Sequence, residues 1–389
     1  MSERTRADGR QHDLADEVTG AHILVCTGAG GVGKTTTAAA LGLAGARAGR
    51  RTLVLTIDPA RRLAQSMGIE ELGNTPQRVP LDGGAGGGQL WAMMLDMQRT
   101  FDDVLDRHAP TPERADAIRR NRIYQTLSST LAGTQEYMAM EKLHALDEEG
   151  DWDLLVVDTP PTRNALDFLD APRRMTDFLE GRLLKLFIRP GMAAGRGMGR
   201  LVGFGTQKFM QIAGRVTGME LLEDLADFFR NFQGMYEGFK QRAQEVRALL
   251  EEPGSRFVVV ATPQPPPLRE AHFFLDRLQQ EGLHTAAVVI NRIHPHCGGW
   301  PHQEDACPDA VVLEAVAQAQ PNDTEGRAVA GALRLLADTN NLATRERRDV
   351  SAALYGVAPP PLVEVPLLRS DVHDLETLGE IADALTDSA

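Results

Sequence analysis

Gly28-Ala29-Gly30-Gly31-Val32-Gly33-Lys34-Thr35 decides how this chain reads. The stretch satisfies the phosphate-loop pattern G-x-x-x-x-G-K-[ST]. Its context is the required one, with the apolar run HILVCT before it and the helix former TTTAAALGLAGARAG after it. Glycines let the backbone curl so that successive N–H groups converge on an anion, and the following helix adds the positive end of its dipole. Lys34 is then expected to bridge the β- and γ-phosphates of ATP, Thr35 to offer its hydroxyl to Mg2+, and Thr36 to continue the phosphate-binding turn.

Outward from the loop, short apolar runs alternate with longer helical stretches. The runs are His22–Thr27, Thr52–Ile57, Gln89–Asp96, Leu154–Asp158, Phe257–Thr262 and Ala286–Ile290. Several are nearly continuous hydrophobes, as in LLVV, FVVVA and AAVVI, the pattern of parallel strands covered on both faces. The expected fold class is α/β, a phosphate-loop NTPase core with a mostly parallel, doubly wound sheet. Residues 97–148 and 173–250 each read as helical without an internal strand, so a helical subdomain inserted at about 173–250 is expected. Residues 1–20 read as a polar, disordered leader and 21–389 as the ATPase domain.

Gross composition narrows the class. A net charge of −13 over 389 residues argues against a nucleic-acid partner recruited by a positive field. Uncharged runs such as 83–95 are shorter than the roughly 18 apolar residues of a membrane span. The start MSERTRADGRQHD has no secretory character. Three cysteines, Cys26, Cys297 and Cys307, form no disulfide framework, which points to a reducing cytoplasmic location.

Hydrolysis needs an acid near the metal and a group that orients water. Asp158 ends the run LLVV and opens DTPPT, where an acid reaches magnesium directly or through water. Asp58 ends TLVLTI and opens DPARRL, also at the carboxyl end of a strand, the edge where ligands gather in open α/β sheets. It either positions the attacking water and contributes to the metal site, or caps the following helix, since Asp-Pro is a common helix opening.

Five segments in one order, TGAGGVGKTT, TIDPARRL, DTPPTRNALDFL, VVINRIHP and VPLLRSDVHDLETL, resemble the ArsA-type ATPases from about Ala21 to Leu378. That family includes the arsenite-pump ATPase and the ATPase that targets tail-anchored membrane proteins. The resemblance implies that Asp58 lies in the first switch as the catalytic base and that Asp158 heads the second. It also implies that Asn291 recognises adenine, that Pro366–Leu368 (with Leu367 between them) pack beside the base, and that the protein acts as a homodimer or as a heterodimer with a paralogue. It further implies a nucleotide-driven switch serving a hydrophobic protein client or a membrane-associated partner, in the cytoplasm or peripheral to the inner face of the membrane. Two other outputs stay open: an ATPase subunit energising anion export, and a low-turnover regulatory partner of a paralogue.

The chain departs from the family at informative places. The family's first loop lysine, which reaches across a dimer, is Ala29 here. Arginines stand at Arg61 and Arg62, where the family usually carries His and a small polar residue, and at Arg163, where it usually has Gly, and one of them is expected to compensate. Cys297 and Cys307, near His294, His296 and His302, match no standard zinc spacing. Residues 173–216 hold nine basic residues against Asp177 and Glu180, with Phe178, Leu179 and Leu183 at helical spacing and Met192 and Met198 in a glycine-rich connector. A basic amphipathic segment of this kind suits an anionic surface or an apolar helix, and it also suits the core of a helical subdomain. Arg163→Ala is expected to lower kcat by at least about tenfold while the ATP dissociation constant changes far less. Single-turnover kinetics beside calorimetric titration separates the two; a loss confined to ground-state affinity removes Arg163 from the transition state.

Overall fold

The computed structural model describes residues 14–57, 62–69, 71–81, 87–122, 124–125, 134–159, 224, 227–228, 231, 235–296, 324–355 and 360–386. Eight strands form one sheet: β1 (Ile23–Gly28), β2 (Arg51–Thr56), β3 (Gln77–Val79), β4 (Gln89–Met94), β5 (Leu154–Asp158), β6 (Ser255–Ala261), β7 (Thr285–Ile293) and β8 (Leu362–Pro366). Their order is β3-β4-β2-β5-β1-β6-β7-β8, parallel throughout except for the antiparallel edge strand β3. The six expected runs are all strands. The two strands the sequence concealed, β3 and β8, are short edge strands whose outer positions are exposed or half-buried, so neither carries a continuous apolar run.

The described helices are α1 (Leu14–Gly20), α2 (Lys34–Arg47), α3 (Arg62–Ser66), α4 (Met97–His108), α5 (Pro112–Arg120), α6 (Thr134–Glu149), α7 (Tyr236–Glu251), α8 (Pro265–Gln280), α9 (Thr324–Ala353) and α10 (Leu375–Thr386). The stretch expected to be leader ends differently from that expectation: residues 14–20 are helical. Leu14 and Val18, one turn apart, are buried, an apolar stripe masked in the sequence by charged neighbours. Residues 173–223 of the proposed insert, with Cys297, Cys307 and His302, lie outside the described residues, and its last part is the helix α7.

Strand side chains alternate between two cores. Ile23, Val25, Leu53, Leu55, Leu155, Val157, Phe257 and Val259 join the core under α4 to α8. Leu24, Cys26, Val54, Val156, Val258 and Val260 join the core under α1, α2 and α10. Burial on both faces explains why the central strands read as unbroken hydrophobes, and each such side chain contributes about 1.5–3 kcal/mol. On the first face, the buried Arg242 guanidinium on α7 donates from Nε to both Glu141 carboxylate oxygens on α6, each at 3.1 Å. Pairing keeps both charges from standing uncompensated in the interior.

α2 lies in the other layer and is buried from Thr37 to Ala46. Its alanines and glycines allow close approach to the sheet: a Cβ on Gly42 would stand 2.2 Å from Val54 Cγ2, and one on Gly45 2.7 Å from Leu154 Cδ2. This packing fixes where the phosphate loop leaves β1. Gly42→Ala gains about 1 kcal/mol of helix propensity but pushes a methyl into Val54, an overpacking cost of about 1–3 kcal/mol. Net destabilisation in chemical denaturation is expected, relieved in the Gly42→Ala/Val54→Ala double variant; a more stable Gly42→Ala protein would refute the contact.

Candidate active site

The carboxyl ends of β1, β2, β5 and β7 meet at one edge of the sheet, and the chain from β1 to α2 curls there as the phosphate loop. Gly28, Gly31 and Gly33 have φ of 148°, 80° and 99°, values open to glycine and strained for other residues. At two of them space is closed as well. A Cβ on Gly28 would stand 2.0 Å from the Val260 carbonyl oxygen on β6, and one on Gly33 2.1 Å from Asn291 Nδ2. Gly30 is exposed, while Ala29 and Val32 are buried. Gly33 also serves as the N-cap of α2, with no side-chain hydrogen bond to the helix end. The first-turn N–H groups of Lys34, Thr35 and Thr36 therefore end the helix at the loop, an arrangement suited to anionic oxygens.

Lys34 is 6% exposed, and its ammonium donates to the Gly28 carbonyl at 3.0 Å and the Ala29 carbonyl at 2.9 Å. An ammonium held by carbonyl oxygens can exchange them for the more strongly accepting oxygens of a phosphate. The Thr35 hydroxyl donates to Asp158 Oδ2 at 2.8 Å, and the Thr56 hydroxyl at the end of β2 donates to the same oxygen at 2.7 Å. Asp158 is fully buried, in register with Thr56 on β2 and Cys26 on β1. Thr159 follows it and donates to the Cys26 carbonyl at 2.8 Å, fixing the exit of β5. Burial, with the Asp158 charge adding and Lys34 opposing, pushes the Cys26 thiol well above its usual range. It stays a neutral core residue, as expected from its place inside the first strand.

Asn291, far away in sequence, comes to the loop: its Nδ2 donates to the Val32 carbonyl at 2.8 Å. The amide keeps a second N–H and its carbonyl oxygen for another partner. Pro366 ends β8 opposite Ile293, and the Leu367 N–H donates to the Ile293 carbonyl at 2.9 Å, so the late segment stands beside the exit of β7. Leu367 is exposed, whereas Leu368 packs on the core. Asp58, Arg61 and Arg163 lie outside the described residues.

Two contributors escaped the sequence reading. Thr56 is the hydroxyl that opens TIDPARRL, two residues before Asp58, and that nearness was the signal available in the sequence. Arg292 has a left-handed φ of 60° and reaches the Gly31 carbonyl with Nη1 at 3.5 Å. Nothing in the sequence announces that backbone conformation. The residues present fit a nucleotide with a divalent metal: the cradle rejects any Cβ at Gly28 or Gly33, and a hydroxyl beside a carboxylate is a hard oxygen donor pair. Lys34→Ala deletes the charge facing the phosphates and is expected to weaken MgATP binding by at least about a hundredfold. Near wild-type affinity in calorimetric titration would overturn the phosphate-loop assignment.

Comparison with known proteins gives the family. The model for the family described as anion-transporting ATPase matches residues 21–308. ATPase GET3 of Malassezia globosa is 27% identical over 363 residues, spanning 93% of this chain and 90% of that protein. Putative arsenical pump-driving ATPase 1 of Aquifex aeolicus is 23% identical over 375 residues, spanning 93% of this chain and 78% of that protein. ATPase BagA of Mycobacterium tuberculosis is 27% identical over 187 residues, spanning 46% of this chain and 54% of that protein. A phosphate loop on a mostly parallel eight-stranded sheet, with the family match over most of its length, makes this chain an ATP-hydrolysing member of the anion-transporting (ArsA-type) ATPase family.

Proposed function

We propose that the protein is a Mg2+-dependent ATPase whose nucleotide-driven switching handles a hydrophobic protein client or a membrane-associated partner. The observation that carries the catalytic half is the hydrogen bond of 2.8 Å from the Thr35 hydroxyl to Asp158, next to the buried Lys34. It puts the loop in direct contact with Asp158, which in this reading heads the second switch. In this reading the backbone of Gly28–Thr36 and the Lys34 ammonium hold the phosphates, and Asn291 and the Pro366–Leu368 segment take the adenine side. Thr35 and Asp158 would hold Mg2+, which would neutralise charge on the β- and γ-phosphate oxygens. Asp58, following Thr56 at the end of β2, orients and deprotonates the attacking water. Arg163 supplies the charge that Ala29 does not.

The client half rests on the family resemblance, on the basic, Met-bearing composition of 173–216, and on chain connectivity. Only eight residues, ALDFLDAP, separate the second switch (Asp158–Asn164) from Arg173, so a shift on sensing the γ-phosphate is passed directly to the insert. The operating unit is a homodimer or a heterodimer with a paralogue. Among the described residues no helix is long and apolar enough to cross a membrane, so membrane contact would be peripheral. A second reading, an ATPase subunit energising anion export, is favoured by the names of the arsenical pump-driving relatives.

Asp58→Asn is expected to keep MgATP binding and lose turnover, because an amide holds geometry but is a very poor base. That variant traps the ATP state for hydrogen exchange against the nucleotide-free protein. Protection is expected to change in 58–66, 158–168 and 173–239 together. Unchanged protection across 173–239, with changes only in the switches, defeats the client reading, and wild-type turnover by Asp58→Asn reduces Asp58 to a helix cap.

A further inference from the structure

We propose that Glu346 and Arg347, adjacent on α9, are positioning residues that set the base side of the nucleotide site and thereby its selectivity for adenine. This rests on the reading above that places the base beside Asn291 and Pro366–Leu368. β7 does not end as a regular strand. Its register with β8 shifts between Asn291 and Ile293, and Arg292 between them has a φ of 60°. A non-glycine residue keeps such a conformation only where the chain on both sides is held.

Before Arg292, the Asn291 side chain is fastened to the loop through the Val32 carbonyl. After it, the fastening comes from one turn of α9. Glu346, 7% exposed, takes the His294 backbone N–H on Oε2 at 2.8 Å and faces the His294 ring Nδ1 with Oε1 at 2.9 Å. Arg347 donates from Nη1 to the His294 carbonyl at 3.1 Å and from Nη2 to Glu364 Oε2 on β8 at 2.7 Å. Both backbone polar groups of His294 are thus gripped by neighbouring residues of one helix. The same guanidinium reaches the strand that ends in Pro366.

The two base-side segments are also joined directly, Leu367 N–H to Ile293 carbonyl at 2.9 Å. Glu346, Arg347, His294 and Glu364 therefore form one brace across β7, β8 and α9. It holds Asn291 and Leu367 at a fixed offset from each other and from the loop. Charged donors and acceptors with two partners each make such a brace directional: a carboxylate spans two donors and a guanidinium fork spans two acceptors. Loosening it releases the bulge at Arg292, and the Asn291 amide then loses its set relation to the base, while the phosphate cradle keeps its main supports on β1, α2 and β6.

The test uses the full-length chain, with ATP, GTP and inorganic tripolyphosphate, each with Mg2+, titrated into wild type, Glu346→Gln, Arg347→Lys and Asn291→Ala. Glu346→Gln keeps shape and loses charge; Arg347→Lys keeps charge and loses the fork. Both are expected to weaken ATP roughly five- to tenfold and to narrow the ATP-to-GTP ratio. Tripolyphosphate affinity should stay within about twofold, and kcat at saturating ATP should be unchanged, the signature of lost uniform binding. Unchanged ATP affinity and selectivity in both helix variants overturns the proposal, and so does an equal loss for ATP and tripolyphosphate, which marks general loosening. If Asn291→Ala alone alters selectivity, the brace fails and the base-side reading stands. If the helix variants alter it and Asn291→Ala does not, the brace acts through the Leu367 segment and the role given to Asn291 fails.

Discussion

One carboxylate oxygen organises this end of the sheet. Asp158 Oδ2 accepts from Thr35 at the start of α2 and from Thr56 at the end of β2, while the Asp158 backbone lies in register with β1 and β2. Two hydroxyls from different elements thus converge on one buried acid. A buried carboxylate is costly unless donors and cations surround it, and here it has both hydroxyls and shares its neighbourhood with the Lys34 ammonium. The arrangement brings an acid, a hydroxyl and an ammonium together at one edge of the sheet.

The rest of the fold makes that convergence rigid. α2 approaches β2 and β5 through Gly42 and Gly45, and β6 presents the Val260 carbonyl where a Gly28 side chain would be. The loop is therefore enclosed by β6 on one side and by Asn291 on the other, with glycine tolerated and larger residues excluded. The buried valines of β5 and β6 take no part in chemistry, but they carry the burial that holds the strand ends in register. The region beyond Asn291 is built differently, from late elements of the chain: β7, α9 and β8 meet through side-chain ion pairs and a bulge rather than through close packing of small residues.

Much of this was legible in the residues alone. The phosphate loop announces itself because its function constrains local backbone, and local backbone is written in glycines at fixed offsets. The six inner strands were readable because burial on both faces leaves no polar alternation. Asp158 and Asn291 were found through their neighbours, the first at the end of LLVVD and the second in a segment of family likeness. The helix α1 was missed because two buried residues among charges make a weak stripe, and β3 and β8 because edge strands are short and half-exposed.

By itself, then, the sequence determined the fold class, the loop with its lysine and threonine, and the place of Asp158 at the end of β5, since each depends on a short run of neighbouring residues. Tertiary structure alone decided that Thr56 shares an oxygen with Thr35, that Asn291 fastens to Val32 across 259 positions, and that one turn of α9 grips His294. Those contacts join residues far apart in the chain, and their geometry comes from strand order, register and a left-handed Arg292, none of which leaves a local pattern. The physical reason is that a hydrogen bond depends on distance and direction in space, while a motif records only spacing along the chain.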